Sequence, residues 1–136
     1  MEAQRRVCLW SSAWTAVPES VPSVRHWILD HARGAGAGPR ALEAIGLAAS
    51  EAATNAVLHA FHDKAGVGEI SVSVELLEPG LLRIVIADNG TGMRPRYDTP
   101  GLGLGLSLIT HVAEHVHVAT PAHGGTQVRM DFALAL

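Results

Sequence analysis

Apolar residues change their period along this chain, and the changes divide it into elements. Val21, Val24, Trp27, Ile28 and Ala32 recur at three- and four-residue intervals, which predicts a helix capped by Ser20 or Ser23. The run Gly34-Ala35-Gly36-Ala37-Gly38 ends it, because glycine loses the most backbone freedom on entering a helix. Pro39 opens a second helix at a position where its missing N–H does no harm. Leu42, Ile45, Ala49, Ala52, Ala53, Ala56, Val57 and Ala60 carry an apolar stripe along it to about Phe61. After Gly66-Val67-Gly68 the period becomes two: Ile70, Val72, Val74 and Leu76 alternate with Ser71, Ser73 and Glu75. Alternation resumes at Leu82, Ile84 and Ile86 beyond a turn at Glu78-Pro79-Gly80, which predicts a hairpin. A third helix is expected from the glycine-rich stretch Gly101 to Gly105 to about His115. Val116 to Thr120 and Thr126 to Leu134 then predict a second hairpin, and Arg5 to Ser11, with Val7, Leu9 and Trp10, a short edge strand. The sum is an α+β fold. It is a two-layer α/β sandwich whose mainly antiparallel, mixed sheet is covered on one face by about three helices.

Composition narrows the class without naming a chemistry. The chain has 136 residues, the length of one domain, and is 48% apolar but only 17% charged, which excludes extensive disorder. Aromatics are 4%, so the core is expected to be built from Val, Leu, Ile and Ala. The single cysteine, Cys8, excludes an internal disulfide framework and any CxxC zinc or redox site. A net charge of −3 offers neither a basic field for nucleic acid nor a polybasic membrane patch. No stretch reaches the roughly 7–15 consecutive apolar residues of a signal peptide, or the ~20 of a membrane span. A soluble, cytoplasmic protein is the expectation.

Three places carry candidate chemistry, and each has an ordinary reading beside the functional one. On the long helix, Glu51 and Asn55 stand four apart and so share a face. A carboxylate near an amide suits a base beside a metal ligand, although a polar pair on a solvent-facing helix would look the same. At the end of an apolar strand, Asp88-Asn89-Gly90-Thr91-Gly92 reads as a turn. It equally reads as a carboxylate that accepts from an exocyclic amine, with Gly90 and Gly92 admitting a flat ring. Gly101, Gly103 and Gly105 before a helix leave backbone N–H groups free to face an anion, and the interleaved leucines argue against a mere linker.

Other phosphate-binding schemes fail. Lys64 is the only lysine and follows no glycine-rich loop, so a Walker loop is excluded. A eukaryotic-type kinase would need a strand lysine and a His-Arg-Asp loop, and both are missing. The dinucleotide pattern fails because residue 106 is Leu and no strand leads directly into the loop.

In this order and spacing, the three sites resemble the N, G1 and G2 boxes of the GHKL ATPase superfamily, with its Bergerat-type ATP-binding fold. That superfamily includes gyrase, histidine kinases and mismatch-repair ATPases. Ser50 to Ala60, Ser-Glu-Ala-Ala-Thr-Asn-Ala-Val-Leu-His-Ala, is most similar to the bacterial anti-sigma-factor serine/threonine kinases. The resemblance covers nearly the whole chain as a single domain, residues 1–136. It implies ATP and Mg2+ as cofactors, with Glu51 as general base and Asn55 as the magnesium ligand. It implies adenine recognition by Asp88 in a pocket shaped by Gly90 and Gly92, a phosphate loop at Gly101, Gly103 and Gly105, and a last-strand hydroxyl at Thr126. Arg94 and Arg96, the only cations between the two glycine boxes, are candidates for the phosphates. The implied activity is phosphorylation of an anti-sigma antagonist, a small STAS-like domain protein, by an anti-sigma factor that also sequesters a sigma factor. A homodimer is the family default.

Two other functions compete with that one. The segment from Met93 to Pro100 is short for a nucleotide lid, which leaves open a non-catalytic, nucleotide-dependent binding module. A detached histidine-kinase-type catalytic domain is the third option; a complete histidine kinase is excluded by the missing phosphoacceptor helices. Separately, His111-Val-Ala-Glu-His115 matches a short zinc-peptidase pattern, but only Asp131 follows as a further carboxylate ligand. His59 is expected to pack or cap rather than catalyse.

Overall fold

The computed structural model describes residues 5–62, 68–90, 109, 111–121 and 124–135. In chain order the elements are β1 (Arg6–Thr15), α1 (Ser20–Gly34), α2 (Pro39–His62), β2 (Glu69–Leu77), β3 (Leu81–Asp88), β4 (His115–Ala119) and β5 (Thr126–Ala133). They form one five-stranded sheet in the order β1-β2-β3-β5-β4. All four pairings among the described strands are antiparallel, in keeping with the mainly antiparallel α+β sandwich expected from the sequence.

Alternation dictates which face each strand buries. Ile70, Val72 and Val74 of β2, Leu82, Ile84 and Ile86 of β3, and Val128, Met130 and Phe132 of β5 point to the helix side and are buried. From α1, Val24, Ile28 and Ala32 meet them at full burial, one helical turn apart. The contribution of α2 is a run of small side chains, Ala41, Ala48, Ala49, Ala52, Ala53 and Ala56, with Ile45 among them. Alanine holds little apolar area but lets a helix axis approach its neighbours closely, so α2 lies tight against both the sheet and α1.

The sequence reading ended β1 at Ser11, where polar residues begin. The strand instead continues to Thr15, paired throughout with β2 from Trp10↔Val74 to Thr15↔Glu69. Its inward positions are Trp10, Ser12 and Trp14, and the two tryptophans lie against α1. Trp14 meets Trp27 edge-on at 5.6 Å, while His31 sits 4.2 Å from Trp27 and 5.4 Å from Trp10. The cap of α1 also differs from expectation: Glu19 is the N-cap without a side-chain bond, and the Ser20 hydroxyl donates to the Thr15 carbonyl at 2.6 Å. The helix ends as expected in the glycine run, with Gly36 at φ +98° and Ala37 N–H bonded to the Ala32 carbonyl at 3.0 Å. Of the third helix, residues 109, 111 and 112 are described, and Ala113 N–H closes its last turn on the Ile109 carbonyl at 2.9 Å.

Candidate active site

The site is built where the end of β3 meets the middle of α2. Antiparallel register places Asp88 directly between Ile70 of β2 and Thr126 of β5, all three on the helix-facing side. Asp88 therefore ends a central strand, not an edge strand. Thr126 is buried at 2% exposure and Asn55 at 5%, so water does not compensate polar groups that lack partners there.

Helix geometry brings a second set of side chains to the same place. Glu51, Asn55 and His59 follow one another at four-residue steps, each about 6 Å further along the axis and about 40° further round it. That drift explains a gradient in burial: Glu51 is half-buried, whereas Asn55 and His59 are buried. Thr54, one residue aside, faces solvent and donates its hydroxyl to the Ser50 carbonyl at 2.7 Å.

His59 reaches across to the sheet. Its Nδ1 lies 2.9 Å from Asp88 Oδ2, and the two side chains are only 7% and 5% exposed. The other carboxylate oxygen, Oδ1, accepts from the Gly90 N–H at 3.0 Å. An ionised carboxylate offers about four lone-pair positions, so two of them stay available to a ligand. Next along the chain, Asn89 turns outward and its Oδ1 accepts from the Glu69 N–H at 2.8 Å, tying the start of β2 to the end of β3. Close approach explains two glycines here. A methyl group on Gly90 would stand 3.2 Å from Asp88 Oδ1 and 3.4 Å from His59 Cβ, and one on Gly125 would overlap the Asp88 carbonyl oxygen.

Among the described residues, three buried polar atoms have no hydrogen-bond partner: Asn55 Nδ2, His59 Nε2 and Thr126 Oγ1. Buried polar groups are normally satisfied, so these atoms, one on the strand beside Asp88 and two on α2, are free to bond a ligand. Their chemistry fits a nucleotide with its metal. A half-turn of the Asn55 amide exchanges its nitrogen and oxygen, so that position offers a phosphate a donor or a hard cation an oxygen. Magnesium is commonly held by one or two protein oxygens together with phosphates and waters rather than by a protein cage.

The structure thus brings together Asp88, Gly90 and Thr126 with His59 of α2, and Asn55 and Glu51 follow one and two turns back along the same helix. Gly92, Arg94, Arg96, Gly101, Gly103 and Gly105 lie outside the described residues. The role expected for His59 is corrected: it is a polar partner of Asp88, not a packing or capping residue. Its signal was present in the sequence, since Glu51, Asn55 and His59 continue one four-residue series. The zinc-peptidase alternative loses its geometry, because His115 begins a strand and Asp131 is taken up by Arg83 through two bonds of 2.9 and 3.0 Å.

Comparison with known proteins identifies the family. The profile of the histidine kinase-like ATPase domain matches residues 14–132. The anti-sigma F factor of Clostridium acetobutylicum is 29% identical over 106 residues, covering 70% of this chain and 72% of that protein. The serine-protein kinase RsbW of Bacillus licheniformis is 33% identical over 118 residues, covering 76% and 73%. Among solved structures, the RsbU and RsbW domains of a Mycobacterium tuberculosis protein superpose with a TM-score of 0.74 at 22% identity, over 94% of this chain and 32% of that one, a likeness of fold. With a match that runs from within β1 to within β5, and a buried carboxylate set between the long helix and the last strand, the chain belongs to the histidine kinase-like ATPase family.

Proposed function

We propose that the protein binds Mg-ATP and phosphorylates a serine or threonine on a small STAS-like antagonist, while also sequestering a sigma factor. The observation that carries this reading is the set of unpartnered buried atoms on Asn55 and Thr126 beside the buried carboxylate of Asp88. Asp88 and Thr126, adjacent in register, would hold the adenine. Asn55, further back along α2, would meet the metal and the triphosphate. Magnesium, when bound, would neutralise charge on the phosphates. Glu51 stands one more turn along the same helix, and no ion pair or hydrogen bond among the described residues engages its carboxylate. It would accept the proton of the attacking hydroxyl as the acceptor oxygen bonds to the γ-phosphorus and the bond to the leaving ADP breaks. The order along the helix is thus purine, phosphates, acceptor.

Phosphate contacts from Gly101, Gly103 and Gly105, and from Arg94 and Arg96, belong to the same proposal, as does Gly92 in the purine pocket. So do a single domain over residues 1–136, a homodimer and a cytoplasmic location. The names of the clostridial and Bacillus relatives support the partner classes. No helix among the described residues is long and apolar enough to cross a membrane.

The test is incubation with labelled ATP, magnesium and a STAS-like antagonist. Phosphoprotein should form with the unaltered chain and vanish with Glu51→Ala. ATP binding without transfer to any antagonist would instead favour a nucleotide-dependent binding module, in which Glu51→Ala leaves partner binding unchanged. No ATP binding at all would overturn the proposal.

A further inference from the structure

We infer that His59 is a positioning residue for base recognition: its Nδ1–H orients the Asp88 carboxylate, and the pair selects a purine edge that donates hydrogens. The inference rests on the proposal that Asp88 reads the nucleotide base.

A carboxylate can only accept, so the 2.9 Å contact with Asp88 Oδ2 requires the His59 proton on Nδ1. The carboxylate is then held at both ends, by His59 on Oδ2 and by the Gly90 N–H on Oδ1. Free rotation about its Cβ–Cγ bond is lost, and the remaining lone pairs point in set directions before any ligand arrives. Such preorganisation strengthens binding because the ordering cost is met on folding. Packing alone would not require it: a methyl group on Gly90 would stand 3.4 Å from His59 Cβ, and an apolar side chain at 59 would fill the space of the ring equally well.

Nε2 is buried and has no partner among the described residues. With a proton on Nδ1, a neutral ring has Nε2 as an acceptor and a doubly protonated ring has it as a donor. Ring geometry turns Nε2 away from the carboxylate that Nδ1 meets, so the acceptors offered to a purine edge are the free lone pairs of Asp88. An amino group satisfies acceptors, whereas the carbonyl of hypoxanthine or guanine would oppose them. Discrimination of this kind exceeds that of apolar pockets, because the wrong ligand leaves buried polar groups unpaired.

Three variants separate the two nitrogens. His59→Leu removes both while keeping bulk. His59→Asn sets an amide near the Nδ1 position, and His59→Gln sets one near Nε2. Affinities for ATP and inosine triphosphate are measured by calorimetry, with thermal unfolding as a check on folding. ATP affinity should fall about tenfold in His59→Leu, recover largely in His59→Asn and not in His59→Gln. The preference for ATP over inosine triphosphate should shrink in parallel in His59→Leu. Wild-type affinity and preference in a folded His59→Leu variant, or rescue by Gln equal to that by Asn, would overturn the inference. A measurement on the unaltered protein guards against variants that do not fold. In histidine-labelled protein, 15N spectra should show His59 protonated on Nδ1, with that signal altered in Asp88→Asn; protonation on Nε2 alone would also overturn it. If the unaltered protein binds no ATP, it is the ATP reading that fails, and the ring tautomer still reports on the pair.

Discussion

Gly125 lies so close to Asp88 that a methyl group on its α-carbon would overlap the Asp88 carbonyl oxygen. Its φ of +86° is in addition one that side-chain-bearing residues rarely adopt. Entry into β5 and exit from β3 are thereby fitted to each other, and Thr126, the next residue, is delivered beside the carboxylate. Gly125→Ala should cost at least about 3 kcal/mol, of which roughly 1–2 comes from the backbone conformation alone. Gly34→Ala, with no atom within 4 Å of the new methyl, is the control and should leave stability unchanged or slightly raised. Denaturant unfolding curves of the two variants check both statements.

Thr126 offers a separation of stability from function. Its hydroxyl is buried without a partner, so folding already bears the cost of desolvating it. Thr126→Val keeps the shape and removes that cost. The variant should melt at the same or a higher temperature, yet bind ATP about five- to tenfold more weakly. Thermal unfolding and calorimetry on the same sample provide the check. A loss of both together would mean the hydroxyl has a structural partner.

Replacing Glu51 by glutamine should act on turnover rather than binding. The substitution keeps size and removes the base, so phosphotransfer should fall by roughly 10²–10⁴. ATP affinity should stay within about twofold, since the side chain lies beyond the position proposed for the phosphates. Single-turnover transfer and equilibrium binding distinguish these effects.

On the uncovered face of the sheet, Arg83 and Asp131 form a fork-to-fork pair across β3 and β5, with Nε–Oδ1 at 2.9 Å and Nη2–Oδ2 at 3.0 Å. Bonding to Asp131 holds the guanidinium pKa above its ordinary value despite partial burial. Because that pKa is raised, the stabilisation is fully present at lower pH and fades only as pH rises into strong alkali. Arg83→Met would strand the buried Asp131 carboxylate and should cost about 3 kcal/mol. The double replacement Arg83→Met with Asp131→Leu should cost much less. A double-mutant cycle at neutral pH measures the difference.

Much of this architecture is legible from hydrophobic period. Ile70 to Leu76 and Leu82 to Ile86 alternate because one side of each strand is buried, and that periodicity survives any arrangement of neighbours. The alanine-rich stripe of α2 is equally local. Where neighbours decide, the reading stops short. From Ser11 to Thr15 only Trp14 is large and apolar, too little to set an alternation, yet the ladder to β2 keeps the segment extended. Ser20, the expected cap, turns back to Thr15 instead, because the approach from β1 sets its direction.

The same division runs through the site. Sequence alone determined that Glu51 and Asn55 share a helix face and that Asp88 closes an apolar strand, since helix pitch and strand alternation are properties of the chain itself. Tertiary structure decided that Asp88 stands between Ile70 and Thr126, that His59 binds its carboxylate, and that Asn55 and Thr126 are left without partners. His59 is 29 positions from Asp88 in the chain, and Thr126 lies in a different hairpin, so only the docking of α2 and the register of the sheet bring them to the carboxylate.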